Sequence, residues 1–150
     1  MEIILYKPEI AGNVGAIIRL AANTGIPLHI VESKTLEFEE TKIKRAGLDY
    51  HDIASVTIHD DWKEYEEKYL SENFLVSTSK SDNIYWEKDL TTIEYIIFGP
   101  ESVGLPDDIL NRFEDKQITI PMDDSSRSIN LANAVGIVMY EYLRQNSINK

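Results

Sequence analysis

Cysteine is absent from the 150 residues of this chain, which excludes disulfides, thiolate metal sites and thiol nucleophiles. That absence fits a reducing compartment. The chain opens with MEIILYKPEI, which lacks the basic region and the long apolar region of a secretory signal. No apolar run approaches the roughly 20 residues that span a membrane. Together these absences predict a cytoplasmic protein without a membrane segment.

Several common catalytic and cofactor-binding motifs are missing as well. The chain has no GxGxxG dinucleotide fingerprint, no Walker-type phosphate loop and no GxSxG nucleophile elbow. Its histidines, His29, His51 and His59, show neither HExxH spacing nor an obvious arrangement with carboxylates. We therefore expect no metal site and no histidine- or cysteine-based nucleophilic catalysis.

Positive charge is scarce, since 15 basic residues face 26 acidic ones and the net charge is −11. Such a balance argues against non-specific adhesion to nucleic acid, although it leaves room for a local basic patch. One patch is present, at Lys42, Lys44 and Arg45.

The apolar residues that are present predict one α/β domain spanning residues 1–150. Short, continuous apolar runs alternate with amphipathic helical patterns, which is typical of a mostly parallel sheet flanked by helices. Strands are expected at 3–6, 28–31, 55–58, 74–78, 95–98 and 118–120, and helices at 14–24, 38–46, 62–70, 106–113 and 129–145. In such folds ligands bind beyond the carboxyl ends of strands, so the polar loops after strands one, four, five and six are candidate sites.

Three polar turns between strands and helices carry the candidate functional residues. They are Gly12-Asn13 with Arg19, the glycine- and proline-rich segment 99–106, and the segment 126–130. Asn13 is expected to cap the first helix, Ser128 or Asn130 to cap the last, and Gly25 to end the first in the left-handed conformation. No turn supplies a base that titrates near neutrality, so the set suits orientation of a substrate towards an already activated electrophile.

These turns resemble the three motifs of the SPOUT methyltransferases, in the same order and spacing. The matching blocks are GNVGAIIRLAANTG (12–25), FGPESVGLP (98–106) and IPMDDSSRSINLANAV (120–135). KRAGLDYH (44–51) and RLAANTGIPLHIVE (19–32) are most similar to the single-domain members that methylate the wobble ribose of tRNA on its 2′-oxygen. The resemblance covers essentially the whole chain.

The resemblance implies an α/β-knot fold with a C-terminal trefoil knot, involving residues from about Phe74 to Leu131. It implies binding of S-adenosylmethionine, with S-adenosylhomocysteine as product, in a pocket lined largely by backbone. The positions that match the cofactor-binding residues of the family are Ser77, Thr78, Gly99, Glu101, Gly104, Ile120, Ser128 and Leu131.

The resemblance also implies a reacting centre, a homodimer and an RNA surface. The reacting centre would comprise Asn13, Arg19, Glu101, Ser128 and Asn130. Because Arg is always protonated in proteins, we expect Arg19 to orient the ribose hydroxyl and stabilise the developing alkoxide. The apolar faces at 14–22 and 129–143 are candidates for the dimer interface, and the expected tRNA contacts are Lys42, Lys44, Arg45 and Arg127.

Two other functions are compatible with the sequence. The same chemistry could act on another tRNA position or on rRNA, or the chain could be a non-catalytic module that binds RNA or the cofactor. The intact set at Asn13, Arg19, Glu101, Ser128 and Asn130 argues against lost catalysis.

Overall fold

A computed structural model describes residues 1–32, 56–123, 125–126 and 128–148. Its strands are β1 (Glu2–Tyr6), β2 (Leu28–Val31), β3 (Val56–His59), β4 (Phe74–Ser77), β5 (Tyr95–Phe98) and β6 (Gln117–Ile118). Its α-helices are α1 (Ala11–Thr24), α2 (Trp62–Tyr69), α3 (Asp107–Arg112) and α4 (Leu131–Ile148). Short 3-10 turns lie at Tyr85–Glu87, Leu90–Thr92 and Glu114–Lys116. The helix expected at 38–46 and the basic residues Lys42, Lys44, Arg45 and Arg127 lie outside the described residues.

The strands form one sheet in the order β3-β2-β1-β5-β4-β6, and every pairing is parallel. This confirms the predicted mostly parallel sheet. The chain passes from β1 towards β2 and β3 on one side, whereas β5 is followed by β6 on the other side. The direction in which the chain builds the sheet therefore switches between β1 and β5, and the loops that follow these two strands lie side by side at the carboxyl edge of the sheet.

Helices cover both faces of the sheet, which explains why the strands are apolar along their whole length. On one face α1 and α4 pack together against the sheet, through buried side chains that include Ile17, Val135 and Val138. On the other face α2 and α3 contribute Trp62, Tyr65, Ile109 and Leu110. The apolar faces of the first and last helices thus meet the sheet and each other within the chain, which moves any dimer contact to their opposite faces. In the part of the chain that is described, no helix is long and apolar enough to cross a membrane.

The helix ends agree with the sequence at some positions and differ at others. Gly25 follows α1 in the left-handed conformation with φ of 69°, and Asp61 caps α2 by accepting from Glu64 N at 2.9 Å. The prediction that Asn13 caps α1 is wrong, because the helix begins at Ala11 and its N-cap position is Ile10. At α4 the cap is Asn130, whose Oδ1 accepts from the backbone N–H groups of Ala132 and Asn133.

The last strand is shorter than expected. Only Gln117 and Ile118 pair with β4, and Thr119 makes a single bridge to Ile84. Beyond that point the chain leaves the sheet edge, so Ile120 lines the cavity described below instead of extending a ladder.

Candidate active site

A cavity of about 260 Å³ lies at the carboxyl edge of the sheet, close to the lower end of the roughly 300–1,000 Å³ that small-molecule sites occupy. Its walls come from the loops after β4, β5 and β6 and from the start of α4. Apolar residues in the lining include Phe98, Leu105, Ile120 and Met122, and polar ones include Thr78, Lys80, Glu101 and Ser128. A lining of both apolar and polar residues suits a ligand that carries both a heterocycle and charged groups.

All eight residues predicted to bind the cofactor line this one cavity. They are Ser77, Thr78, Gly99, Glu101, Gly104, Ile120, Ser128 and Leu131. Because these residues come from four separate segments, their meeting is a property of the fold. That they contact a cofactor stays a prediction.

The glycines of the β5–α3 loop bring its backbone close to itself. A Cβ built on Gly99 would lie 2.4 Å from the backbone nitrogen of Leu105 and 2.7 Å from the carbonyl carbon of Gly104. Gly104 has φ of 70°, a conformation that favours glycine. The tight path of this loop therefore depends on both residues, and the loop forms one wall of the cavity.

Glu101 connects the β5–α3 loop to the start of α1. Its Oε2 accepts from Glu9 N at 2.8 Å, and its Oε1 accepts from Ile10 N at 3.2 Å and from Asn13 Nδ2 at 2.9 Å. The positive end of the α1 dipole also favours a carboxylate at this place. With these donors satisfied inside the protein, Glu101 is better suited to holding two loops together than to abstracting a proton.

Asn13 and Asn130 continue this network to the last helix. Asn13 is buried, and its Oδ1 accepts from Asn130 Nδ2 at 2.8 Å. The Oδ1 of Asn130 caps α4 through Ala132 N at 3.0 Å. The structure therefore joins three of the five residues predicted for the reacting centre, Glu101, Asn13 and Asn130, in one chain of hydrogen bonds.

The other two residues of that set are placed differently. Ser128 lines the cavity and is exposed. Arg19 is an exposed residue of α1 and does not line the cavity. Contact of Arg19 with a substrate stays a prediction, as do the roles of Lys42, Lys44, Arg45 and Arg127, which lie outside the described residues.

Sequence reasoning missed several residues at this edge of the sheet. Lys80 lines the cavity after β4, and its Nζ lies 2.9 Å from Asp107 Oδ1 in the first turn of α3. Glu9 accepts from both the amide and the hydroxyl of Ser102. A search for charged or hydroxyl residues beside the three motifs would have found Glu9, which precedes the first motif, and Ser102, which lies inside the second.

Asp123 shapes the loop that follows β6. Its carboxylate accepts from the backbone N–H and the hydroxyl of Ser125, and these hydrogen bonds lower its pKa. Asp123 is thus ionised at neutral pH and serves as a turn residue. Among the residues that the structure describes, no group of histidines and carboxylates is arranged to hold a metal ion.

A parallel α/β sheet with a cavity walled by the loops at its carboxyl edge is the arrangement of a protein that binds a small organic ligand. The chain belongs to the SpoU rRNA methylase family, whose sequence model matches residues 1–140. This agrees with the resemblance described above, since the family is a group of RNA methyltransferases.

Individual relatives are similar over nearly the whole chain. A tRNA (cytidine(34)-2′-O)-methyltransferase from Escherichia coli strain K12 is 42% identical over 146 residues, covering 97% of this chain and 93% of that protein. A solved structure that concerns 2-OH methylation of C/U34 on tRNA is 37% identical with a TM-score of 0.85, covering 97% of this chain and 90% of that one.

A more distant structure supports the fold alone. The SpoU methyltransferase AviRb of Streptomyces viridochromogenes, solved with AdoMet, is 21% identical with a TM-score of 0.82. The alignment covers 98% of this chain and 58% of that one.

Proposed function

We propose that this chain transfers a methyl group from S-adenosylmethionine to the ribose 2′-oxygen of the wobble nucleotide, cytidine or uridine 34, of tRNA. The observation that carries the proposal is the meeting of the second and third motif segments with the loop after β4 in a single cavity, whose walls contain every predicted cofactor residue. Relatives of nearly equal length carry this activity in their names, at 36–42% identity. Such a substrate would place the protein in the cytoplasm.

The residues present fit this cofactor. Apolar side chains such as Ile120 and Leu131 would contact an adenine ring, and the loop from Gly99 to Gly104 would offer backbone groups to the ribose and amino-acid parts. S-adenosylmethionine supplies a methyl group on a positively charged sulfur, which is already a strong electrophile. The protein then has to align an oxygen with that methyl group and to stabilise the charge that develops on the oxygen.

Arg19 is the residue that we assign to the ribose. Its planar guanidinium can donate to the 2′-oxygen and to a neighbouring phosphate at the same time. The network of Glu101, Asn13 and Asn130 fixes the start of α1, the helix that carries Arg19. These residues are therefore proposed to hold the geometry, while the proton of the hydroxyl passes to solvent.

Binding of tRNA by so acidic a chain would depend on its few basic residues. We assign phosphate contacts to Lys42, Lys44, Arg45 and Arg127, together with Arg19. Because each neutralised phosphate releases counterions, the affinity for tRNA should fall steeply as the salt concentration rises. A salt-independent affinity would contradict this assignment.

A homodimer is part of the proposal. The exposed face of α4 carries Ile137 and Tyr140, which are 36% and 58% exposed, and the exposed face of α1 carries Ala16 and Arg19. A second copy of the chain would cover the exposed apolar side chains and bring Arg19 of one copy towards the other. Sedimentation at low concentration tests this, since a fully active monomer would contradict it.

The trefoil knot is likewise proposed. The connection from β5 to β6 passes over β4, and the chain then returns so that α4 packs against α1 on one face of the sheet. A bulky domain fused to the C-terminus should slow refolding from urea, because it must be threaded, whereas the same domain at the N-terminus should not. Equal refolding rates would contradict the knot.

One assay tests the function directly. Radiolabelled S-adenosylmethionine is incubated with the protein and bulk tRNA or rRNA, and the methylated ribose is then mapped. Label on the 2′-oxygen of nucleotide 34 is the expected result. Label at another tRNA position or in rRNA would assign the chain a different RNA substrate. Cofactor binding without any methyl transfer would favour the non-catalytic module.

A further inference from the structure

Glu9 and Glu101 form a reciprocal clasp between the β1–α1 loop and the β5–α3 loop. Glu101 accepts from the backbone N–H of Glu9 at 2.8 Å. In return, the carboxylate of Glu9 accepts from Ser102 N at 2.9 Å and from Ser102 Oγ at 2.8 Å. Each loop thus offers a carboxylate to the backbone of the other.

The two halves of the clasp hold different parts of the site. Glu101 is tied through Asn13 to Asn130 and so to α4. The carboxylate of Glu9, by contrast, contacts Ser102, the residue that follows Glu101. Ser102 lines the cavity together with its neighbours Glu101, Val103 and Gly104.

The position of Ser102 decides where one wall of the cavity lies. Val103 and Gly104 follow it, and Val103 is 77% exposed, so little apolar packing holds this part of the loop. The hydrogen bonds from Ser102 to Glu9 are assisted by charge and are stronger than bonds between neutral groups. These two hydrogen bonds therefore hold the loop in place at Ser102, where apolar packing is sparse.

We infer that Glu9 is a positioning residue of the methyl-transfer site, which holds the β5–α3 loop at Ser102 in the shape that binds the cofactor. The inference rests on the proposed function, since it takes the cavity to be the S-adenosylmethionine site. Glu9 acts through the loop and touches neither the cofactor nor the ribose. Its loss should therefore weaken cofactor binding more than tRNA binding.

The test compares Glu9→Gln with the wild-type protein in two measurements. Calorimetric titration with S-adenosylmethionine gives the Kd without any reaction, and steady-state assays give separate KM values for the cofactor and for tRNA. Glu9→Gln keeps the size of the side chain but removes its charge and one acceptor. We expect the Kd for S-adenosylmethionine to rise about tenfold, as for the loss of one charge-assisted hydrogen bond, while the KM for tRNA stays within about twofold.

Two further variants separate this role from general effects. Glu114→Gln removes an exposed carboxylate in the 3-10 turn before β6, away from the cavity lining, and should leave the Kd unchanged. Ser102→Ala removes the hydroxyl that donates to Glu9. If Glu9 acts through Ser102, the rise in Kd for the variant that carries both Glu9→Gln and Ser102→Ala should be smaller than the product of the rises in the two single variants.

The outcomes decide between the inference and its alternatives. An unchanged Kd in Glu9→Gln would overturn the inference, and so would a lower KM for tRNA alone, which would make Glu9 a surface charge that repels RNA. The inference would also be overturned if Glu114→Gln lost as much cofactor affinity and as much resistance to urea as Glu9→Gln. A wild-type protein that binds S-adenosylmethionine but methylates no RNA would refute the proposed function and leave the binding test valid.

Discussion

The side chains of Asn13 and Asn130 are joined by a hydrogen bond of 2.8 Å, although 117 positions separate them in the sequence. Asn13 lies in the first turn of α1 and Asn130 directly precedes α4. Because Asn13 also donates to Glu101, the orientation of its amide is fixed, with Nδ2 towards Glu101 and Oδ1 towards Asn130. The N-termini of the two packed helices therefore share one buried amide.

Replacement of Asn13 by Ala should damage both stability and turnover. It removes one of the donors to Glu101 and the acceptor of Asn130 Nδ2, so we expect the free energy of unfolding to fall by about 1–3 kcal/mol. Methyl transfer should fall at least about tenfold, since a loss of 1.4 kcal/mol in positioning already has that effect. Urea denaturation and single-turnover assays measure the two effects.

Asn23→Ala is the matched control for Asn13, because Asn23 is an exposed residue of the same helix. Its free energy of unfolding should stay within about 0.5 kcal/mol of the wild-type value. An Asn13→Ala protein that is as active and as stable as Asn23→Ala would show that the shared amide is dispensable.

The sequence predicted the strands well because each is a short apolar run that both faces of a parallel sheet bury. It could not predict the order β3-β2-β1-β5-β4-β6, since strands of similar composition can pair in many ways. The end of β6 was missed for a related reason. Ile120 is as apolar as Ile118, and only the path of the chain decides that it faces the cavity.

The lining of the cavity was predictable where a residue is recognised by its place in a motif, as for Gly99 and Ser128. The role of Asn13 was not, because its partners Glu101 and Asn130 lie far away in sequence and the local pattern resembles an ordinary helix cap. Glu9 was missed because its contact with Ser102 also joins loops that lie far apart in the sequence. Such contacts follow from which loops the sheet order places side by side.

Arg19 provides a test of the reacting centre that is independent of the cavity. Since Arg19 does not line the cavity, Arg19→Ala should leave the Kd for S-adenosylmethionine within about twofold. Methyl transfer should fall about 100-fold or more, which is typical for loss of one donor to a developing oxyanion. Arg19→Lys keeps the charge but loses the planar guanidinium, so its rate of methyl transfer should lie between those of the wild-type protein and Arg19→Ala. Normal transfer by both variants would remove Arg19 from the mechanism.

Gly99 should tolerate no side chain. A Cβ there would lie 2.4 Å from Leu105 N, so the loop that walls the cavity must move. We expect Gly99→Ala to cost about 1–3 kcal/mol of stability, as for overpacking elsewhere, and to weaken cofactor binding. Gly136→Ala is the control, because its Cβ would make an ordinary 3.5 Å contact with Leu20 and the helix would gain up to about 1 kcal/mol. Equal effects of the two substitutions would refute this view of the loop.

His59 should make the stability of the protein depend on pH. Its Nε2 lies 2.9 Å from Nδ1 of His29, whose Nε2 is 2.7 Å from Glu2 Oε2. Burial, followed by the charge of His29, lowers the pKa of His59 below its ordinary value of 6.5. The other groups that face these rings are Asp60, Glu64, Tyr65, Lys68 and Tyr69.

Because the pKa of His59 is lower in the native protein than in the unfolded chain, unfolding takes up a proton near that pKa. As the pH falls below 6.5, the unfolded chain protonates at His59 while the native protein resists, so the free energy of unfolding decreases. Ordinary carboxylates titrate near pH 4, which separates their contribution from this one. Urea denaturation on either side of pH 6.5 should show a shallower decline in His59→Gln than in the wild-type protein. Identical slopes would contradict the assignment.

Ser128 and Asn130 were both candidates for the cap of the last helix, and the structure separates them. Asn130 accepts from Ala132 N and Asn133 N, whereas Ser128 lines the cavity. Asn130→Ala should therefore cost about 1 kcal/mol of stability and also reduce turnover, because Asn130 holds Asn13. Ser128→Ala should stay within about 0.5 kcal/mol in stability and reduce methyl transfer or cofactor affinity. The reverse pattern, in which Ser128→Ala destabilises the protein with unchanged turnover, would return Ser128 to a capping role and remove it from the site.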